Sequence, residues 1–233
     1  MKNRKISGKW LAGLVFLFFC CNSTPVQDIH FAEKLPLELS PDKGIKSDLI
    51  IYLTGDGGWN RFSENLVHEF EKQGYGVVSL NSLKYFWNKK SPENLARDLG
   101  SVSDHYLKDW NKRSLIIVGY SFGADVASFL PGYLSSRIRE KIKKVALLSP
   151  SASTDFVIRI GDLLGLSDND NGKFKVGQEI EKSQLPVICI FGKRESLLLK
   201  KHLRSGNGLS VYELPGGHRF DNNYNQLVQL IFS

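Results

Sequence analysis

The chain has 233 residues, 42% of them hydrophobic and 24% charged, which is enough for one large α/β domain and does not call for a second. Its formal charge of +7 is misleading, because Lys2, Arg4, Lys5 and Lys9 open the chain with no acid among them. The remainder carries 27 basic against 24 acidic side chains, about +3, a balance that gives no support to nucleic-acid binding. Three cysteines exclude a disulfide framework, and Cys189, inside the run Pro186–Phe191, reads as a buried free thiol.

Residues 1–21 read as an export leader, with the four cations followed by an apolar core from Trp10 to Phe19 and polar residues from Asn22 onward. That core is shorter than the roughly 20 residues a membrane-spanning helix needs. Cys20 and Cys21 stand where the leader ends. Either Leu17-Phe18-Phe19-Cys20 or Phe18-Phe19-Cys20-Cys21 makes a loose bacterial lipobox, with a diacylglyceryl group on Cys20 or Cys21. Residues 22–46 form a linker rich in Pro and charge, with a candidate edge strand at Leu35–Leu39 interrupted by Pro36.

From Ser47 onward short apolar runs alternate with amphipathic stretches. The runs Leu49–Leu53, Gly76–Leu80, Leu115–Val118, Val145–Leu148, Val187–Phe191 and Leu209–Leu214 are continuous rather than alternating, the pattern of parallel strands buried on both faces. Helices are expected at Arg61–Gln73, Pro92–Trp110, Phe122–Leu134 and Asn222–Phe232, with Ser91 and Pro92 marking the start of the second. The alternation predicts an α/β fold for residues 47–233: a mostly parallel sheet of about six to seven strands with helices on both faces. Residues 151–184 break the rhythm and are expected to form an insert over the active edge, a lid or substrate wall.

Ligands in such sheets bind at the carboxyl ends of the strands, so residues at strand exits carry the chemistry. Gly119-Tyr120-Ser121-Phe122-Gly123 follows one strand and opens a helix, the arrangement of a nucleophile elbow with Ser121 exposed at the turn. A serine hydroxyl needs a base, and His218 leaves the last strand through Leu214-Pro215-Gly216-Gly217. For the acid that orients the imidazole, Glu195 follows the strand ending at Phe191, and Asp155 is the alternative. The order serine, acid, histidine is that of α/β-hydrolases. An oxyanion hole would use the Phe122 N–H and a second N–H from Asp56 or Gly57 in the loop Thr54-Gly55-Asp56-Gly57-Gly58-Trp59. That loop lacks the Lys-Ser/Thr sequel of a phosphate-binding P-loop, and no His/Cys/Asp cluster has metal-ligand spacing, so neither cofactor nor metal is expected.

Five segments together resemble the AcvB/VirJ family of bacterial virulence proteins, in its short single-domain form. They are Thr54–Trp59, Ser82–Trp87 with Ser91-Pro92, Gly119–Val126, Leu148–Ser151 with Thr154–Phe156, and Pro215–Asp221, in the family's order. The resemblance implies an exported α/β-hydrolase-fold protein of the bacterial cell envelope, periplasmic or lipid-anchored at the membrane surface. It also implies hydrolysis of the aminoacylated lipid lysyl-phosphatidylglycerol and an association with secretion-system proteins. A substrate with two ammonium groups calls for carboxylates near Ser121, and Asp125, one helical turn on, and Asp56 are candidates. Tyr85, Phe86 and Trp87 are candidates for lining the lipid entry, and Trp59 is a further candidate for binding the substrate.

Overall fold

Runs of Val, Ile and Leu line up as parallel strands when helices shield both of their faces from water. The computed structural model describes residues 34–41, 44–159 and 171–233. Nine strands are described: β1 (Leu37–Ser40), β2 (Asp48–Leu53), β3 (Gly76–Leu80), β4 (Ser114–Tyr120), β5 (Ile142–Leu148), β6 (Ser153–Thr154), β7 (Phe174–Lys175), β8 (Val187–Gly192) and β9 (Leu209–Leu214). Seven of them form one sheet in the order β1-β3-β2-β4-β5-β8-β9, in which every neighbouring pair is parallel except β1 with β3. β6 and β7 pair separately as a short antiparallel ladder.

Alternate residues of the inner strands serve two different cores. Leu49, Ile51 and Leu53 of β2 pack with Leu95, Leu99 and Val102 of helix α2, where α1 is Arg61–Lys72 and α2 is Pro92–Asp109. Ile50 and Tyr52 point the other way, to Leu66 and Phe70 of α1 and to Leu227 and Ile231 of the C-terminal helix. With α3 (Phe122–Ala127) and α4 (Val176–Lys182) between them in sequence, that last helix is α5 (Tyr224–Phe232). Local chemistry sets the starts: Asn60 accepts from the N–H groups of Phe62 and Ser63, and Ser91 from that of Asn94, with Pro92 in the first turn where it loses no hydrogen bond.

The helix expected over Phe122–Leu134 is broken. α3 ends at Ala127 and a separate turn runs from Leu130 to Tyr133, because Pro131 has no N–H to donate and its ring crowds the preceding turn. The last helix starts at Tyr224, two residues later than expected, where Asn223 caps the N–H of Gln226. The edge strand lies just beyond Pro36, at Leu37–Ser40, so the sheet reaches past the boundary read at Ser47. In the expected insert the described residues form β6, β7 and α4, while 160–170 lie outside the described residues, as do Cys20, Cys21 and the whole leader.

Candidate active site

β4 runs into Ser121, whose backbone turns through φ 54° and ψ −124° before α3 begins. A non-glycine residue holds such a conformation only where its surroundings dictate it. Here they do: a Cβ on Gly123 would lie 2.2 Å from the Leu53 carbonyl oxygen, and one on Gly119 would lie 2.5 Å from that of Gly123. The helix can leave the strand so steeply only because both positions lack side chains. Ser121 N–H donates to Leu148 O at 2.8 Å, which ties the elbow to the end of β5.

His218 arrives from the exit of β9, the edge strand of the sheet. Its Nε2 is 2.8 Å from Ser121 Oγ and its Nδ1 is 2.6 Å from Glu195 Oε1, so the three side chains predicted from sequence stand in one hydrogen-bonded row. The Glu195 side chain is 5% exposed and that of His218 46%, the arrangement of a buried orienting acid behind a base that faces solvent. Burial pushes the Glu195 carboxyl up, but hydrogen bonds from His218, the Gly192 N–H and the Ser149 hydroxyl outweigh it and hold the group below the ordinary glutamate range. An ionised Glu195 fixes the tautomer in which Nδ1 carries the proton and Nε2 accepts one.

The loops after β8 and β9 are packed against each other to make this meeting. A Cβ on Gly192 would lie 2.3 Å from Gly217 O, so the glycine is required by close approach. Lys193 N–H donates to Leu214 O and Arg194 N–H to Gly216 O. Tyr120, the residue before the nucleophile, stacks on Phe62 and donates its hydroxyl to His218 O at 3.2 Å, supporting the histidine from below. Sequence reasoning singled out neither Tyr120 nor Ser149. The variable position of the elbow motif and the strand exit before Pro150 were the available signals.

Several expectations are corrected. Asp155, the alternative acid, accepts from Lys173 N–H at 2.8 Å and pairs with Arg159 at 3.1 Å, away from His218. Of the two candidates for the second oxyanion donor, Gly57 N–H is given to the Asp56 carboxylate at 2.8 Å, so the Asp56 N–H is the remaining candidate beside that of Phe122. Asp125 is 2% exposed and accepts from Ser151 N–H at 2.6 Å, so it cannot meet a substrate ammonium; burial raises its carboxyl well above the ordinary range. Tyr85 and Phe86 do not line an entry. Tyr85 is buried and donates to Asp98 at 2.7 Å, and Phe86 is fully buried, edge-on to Phe122 and Phe156. Trp87 is exposed and Trp59 half-buried, so these two remain at the surface. Among the described residues no group of His, Cys, Asp and Glu could hold a metal ion.

A family model described as bacterial virulence protein (VirJ) matches residues 47–233. No curated protein sequence matches the chain. Among solved structures the chain is similar to Est1E from Butyrivibrio proteoclasticus in a structure with bound ferulic acid, at 17% identity and a TM-score of 0.61 over 84% of this chain and 92% of that one. It is similar also to a thioesterase domain from the curacin biosynthetic pathway, at 15% identity and a TM-score of 0.58 over 84% and 94%. A third, an esterase of Pyrococcus furiosus, gives 12% and 0.57 over 85% and 90%. These likenesses give the sheet and its helices the α/β-hydrolase fold.

Proposed function

Because the chain belongs to the bacterial virulence protein (VirJ) family, we propose that it is an exported serine hydrolase that cleaves the aminoacyl ester of lysyl-phosphatidylglycerol. The observation that carries a hydrolase is the row Ser121 Oγ, His218 Nε2 and Nδ1, Glu195 Oε1, with successive separations of 2.8 and 2.6 Å. Ser121 attacks the ester carbonyl as its proton passes to His218 Nε2. The oxyanion that forms is held by the N–H groups of Phe122 and Asp56. Collapse expels the glycerol oxygen of phosphatidylglycerol, which takes the proton from His218, and leaves lysine esterified to Ser121. Water, deprotonated by the same histidine, then releases the lysine.

The lipid assignment is supported by the family match and by the chemistry of the site's rim. With Asp125 buried, the half-buried Asp56 is the carboxylate left to receive a lysyl ammonium, and exposed Trp87 and half-buried Trp59 are the aromatics left to meet lipid. Among the described residues no helix is long and apolar enough to cross a membrane, so access to a membrane lipid would depend on the leader or on the surface of the domain. Thin-layer analysis of lipids from cells expressing wild type or Ser121→Ala tests the assignment. Lysyl-phosphatidylglycerol should fall with the wild type and not with the variant, and an unresponsive lipid pool would refute it.

The burial of Asp125 favours a second reading, an esterase of ordinary acyl esters, since it removes one of the two carboxylates a cationic substrate would use. Asp56→Ala separates the two, because it should impair cationic esters selectively if the lysyl reading holds. A role as a secretion accessory independent of hydrolysis would leave the cellular function of Ser121→Ala intact.

A further inference from the structure

Behind the row that ends in Ser121 runs a second one. Ser149, the first residue after β5, is fully buried and held at φ 53°, a conformation unfavourable for a residue with a side chain. Its N–H donates to Ile190 O at 2.8 Å and its hydroxyl to Glu195 Oε2 at 2.8 Å. Gly192 N–H donates to the same carboxylate oxygen at 2.6 Å. On the other side of the bend, Leu148 O accepts from Ser121 N–H and Ser151 N–H donates to Asp125 Oδ1 at 2.6 Å. The segment 148–151 is thus gripped by the nucleophile's own helix and grips the acid in turn.

We propose that Ser149 is a positioning residue of this site, which together with Gly192 N–H anchors Oε2 of Glu195 so that Oε1 faces His218 Nδ1. The proposal rests on the hydrolase reading above. A carboxylate bonded through one oxygen only is free to rotate, and one with both oxygens fixed presents a single lone pair to the imidazole. With the Glu195 side chain 5% exposed, the loss of one donor is poorly made good by solvent. The other charged and titratable groups around Glu195 are engaged elsewhere. Lys200 donates to the backbone oxygens of Gly192, Lys193 and Glu195, Arg194 pairs with Asp221, and the Tyr120 hydroxyl goes to His218 O.

The test uses the purified full chain with 4-nitrophenyl acetate as the ester and a fluorophosphonate as the label for Ser121. Ser149→Ala should lower kcat about tenfold with KM within about twofold, the scale of one hydrogen bond to a charged group. It should also move the acid limb of kcat/KM to higher pH, since a carboxylate with one donor fewer is more basic and binds the His218 imidazolium more tightly. Ser149→Gly, which lacks the hydroxyl but relaxes the backbone, should match Ala, and carries the test if the Ala variant does not fold. In a Glu195→Ala background the same change should cost less than about twofold. Wild-type kcat and pH limb in the variants, or an equal loss in the Glu195→Ala background, overturns the positioning role while leaving the hydrolase reading in place. A wild-type protein that neither hydrolyses the ester nor takes the label at Ser121 overturns both.

Discussion

Ser121 and Glu195 reach the same site by opposite means. The serine is held by backbone so crowded that Gly119 and Gly123 admit no side chain, whereas the glutamate is held by three discrete hydrogen bonds, from His218, Gly192 and Ser149. Steric confinement fails all at once, and hydrogen bonds fail one at a time. The elbow half should therefore respond to substitution as a matter of folding, and the acid half as a matter of rate.

The sharpest way to break that contrast is Gly123→Ala. Its Cβ would stand 2.2 Å from Leu53 O, so the variant should lose roughly 3 kcal/mol or more, or not fold, as read from the urea midpoint. A normal midpoint would show that the elbow is not sterically fixed. Next in size, Glu195→Gln should retain its midpoint within about 1 kcal/mol while kcat falls on the order of a thousandfold, because an amide neither fixes the imidazole tautomer nor stabilises the imidazolium. A large loss of stability with little loss of rate would make Glu195 a structural residue.

A smaller effect concerns the two buried carboxyls, whose shifts have opposite signs. Glu195 is depressed below its ordinary 4.5, so its contribution to stability is full above that pH and fades as pH falls through the lower folded value. Asp125 is raised above its ordinary 3.8, so its contribution is full below that pH and fades as pH rises through the folded value. Asp125→Asn should then gain on the wild type as pH rises above 3.8 in urea titrations, and a difference that stays constant with pH would contradict the neutral acid. Smallest of all, Asp155→Asn should leave kcat/KM within about twofold, since its carboxylate serves Lys173 N–H and Arg159. A large loss would reinstate it as the acid.

The elbow, the histidine and the positions of the strands could be read from the sequence because each depends on demands a few residues wide: glycines on either side of a serine, apolar runs of strand length, a glycine pair before a histidine. What escaped reading depends on which strands become neighbours. Ser149 matters only because β5 lies beside β8, which sets it under Glu195, and nothing in Leu148-Ser149-Pro150 states that. Spacing put Asp125 one turn from Ser121 but could not say that the loop after β5 would cover it. Tyr85 and Phe86 look like a lipid slot in sequence, yet Phe86 is fully buried, where its removal would cost about 3–5 kcal/mol in packing alone. Pro131, by contrast, was a visible helix breaker inside the expected Phe122–Leu134 helix.

The contact between Gly192 and Gly217 has a practical consequence for anyone who would rebuild this site. The exits of β8 and β9 are stitched by Lys193 to Leu214, Arg194 to Gly216 and the Arg194–Asp221 ion pair, so neither loop has a shape of its own. Residues 192–221 form a single cassette. Grafted whole onto a related sheet it would carry acid and base together, and a chimera that exchanged one loop alone would inherit two halves cut to different patterns.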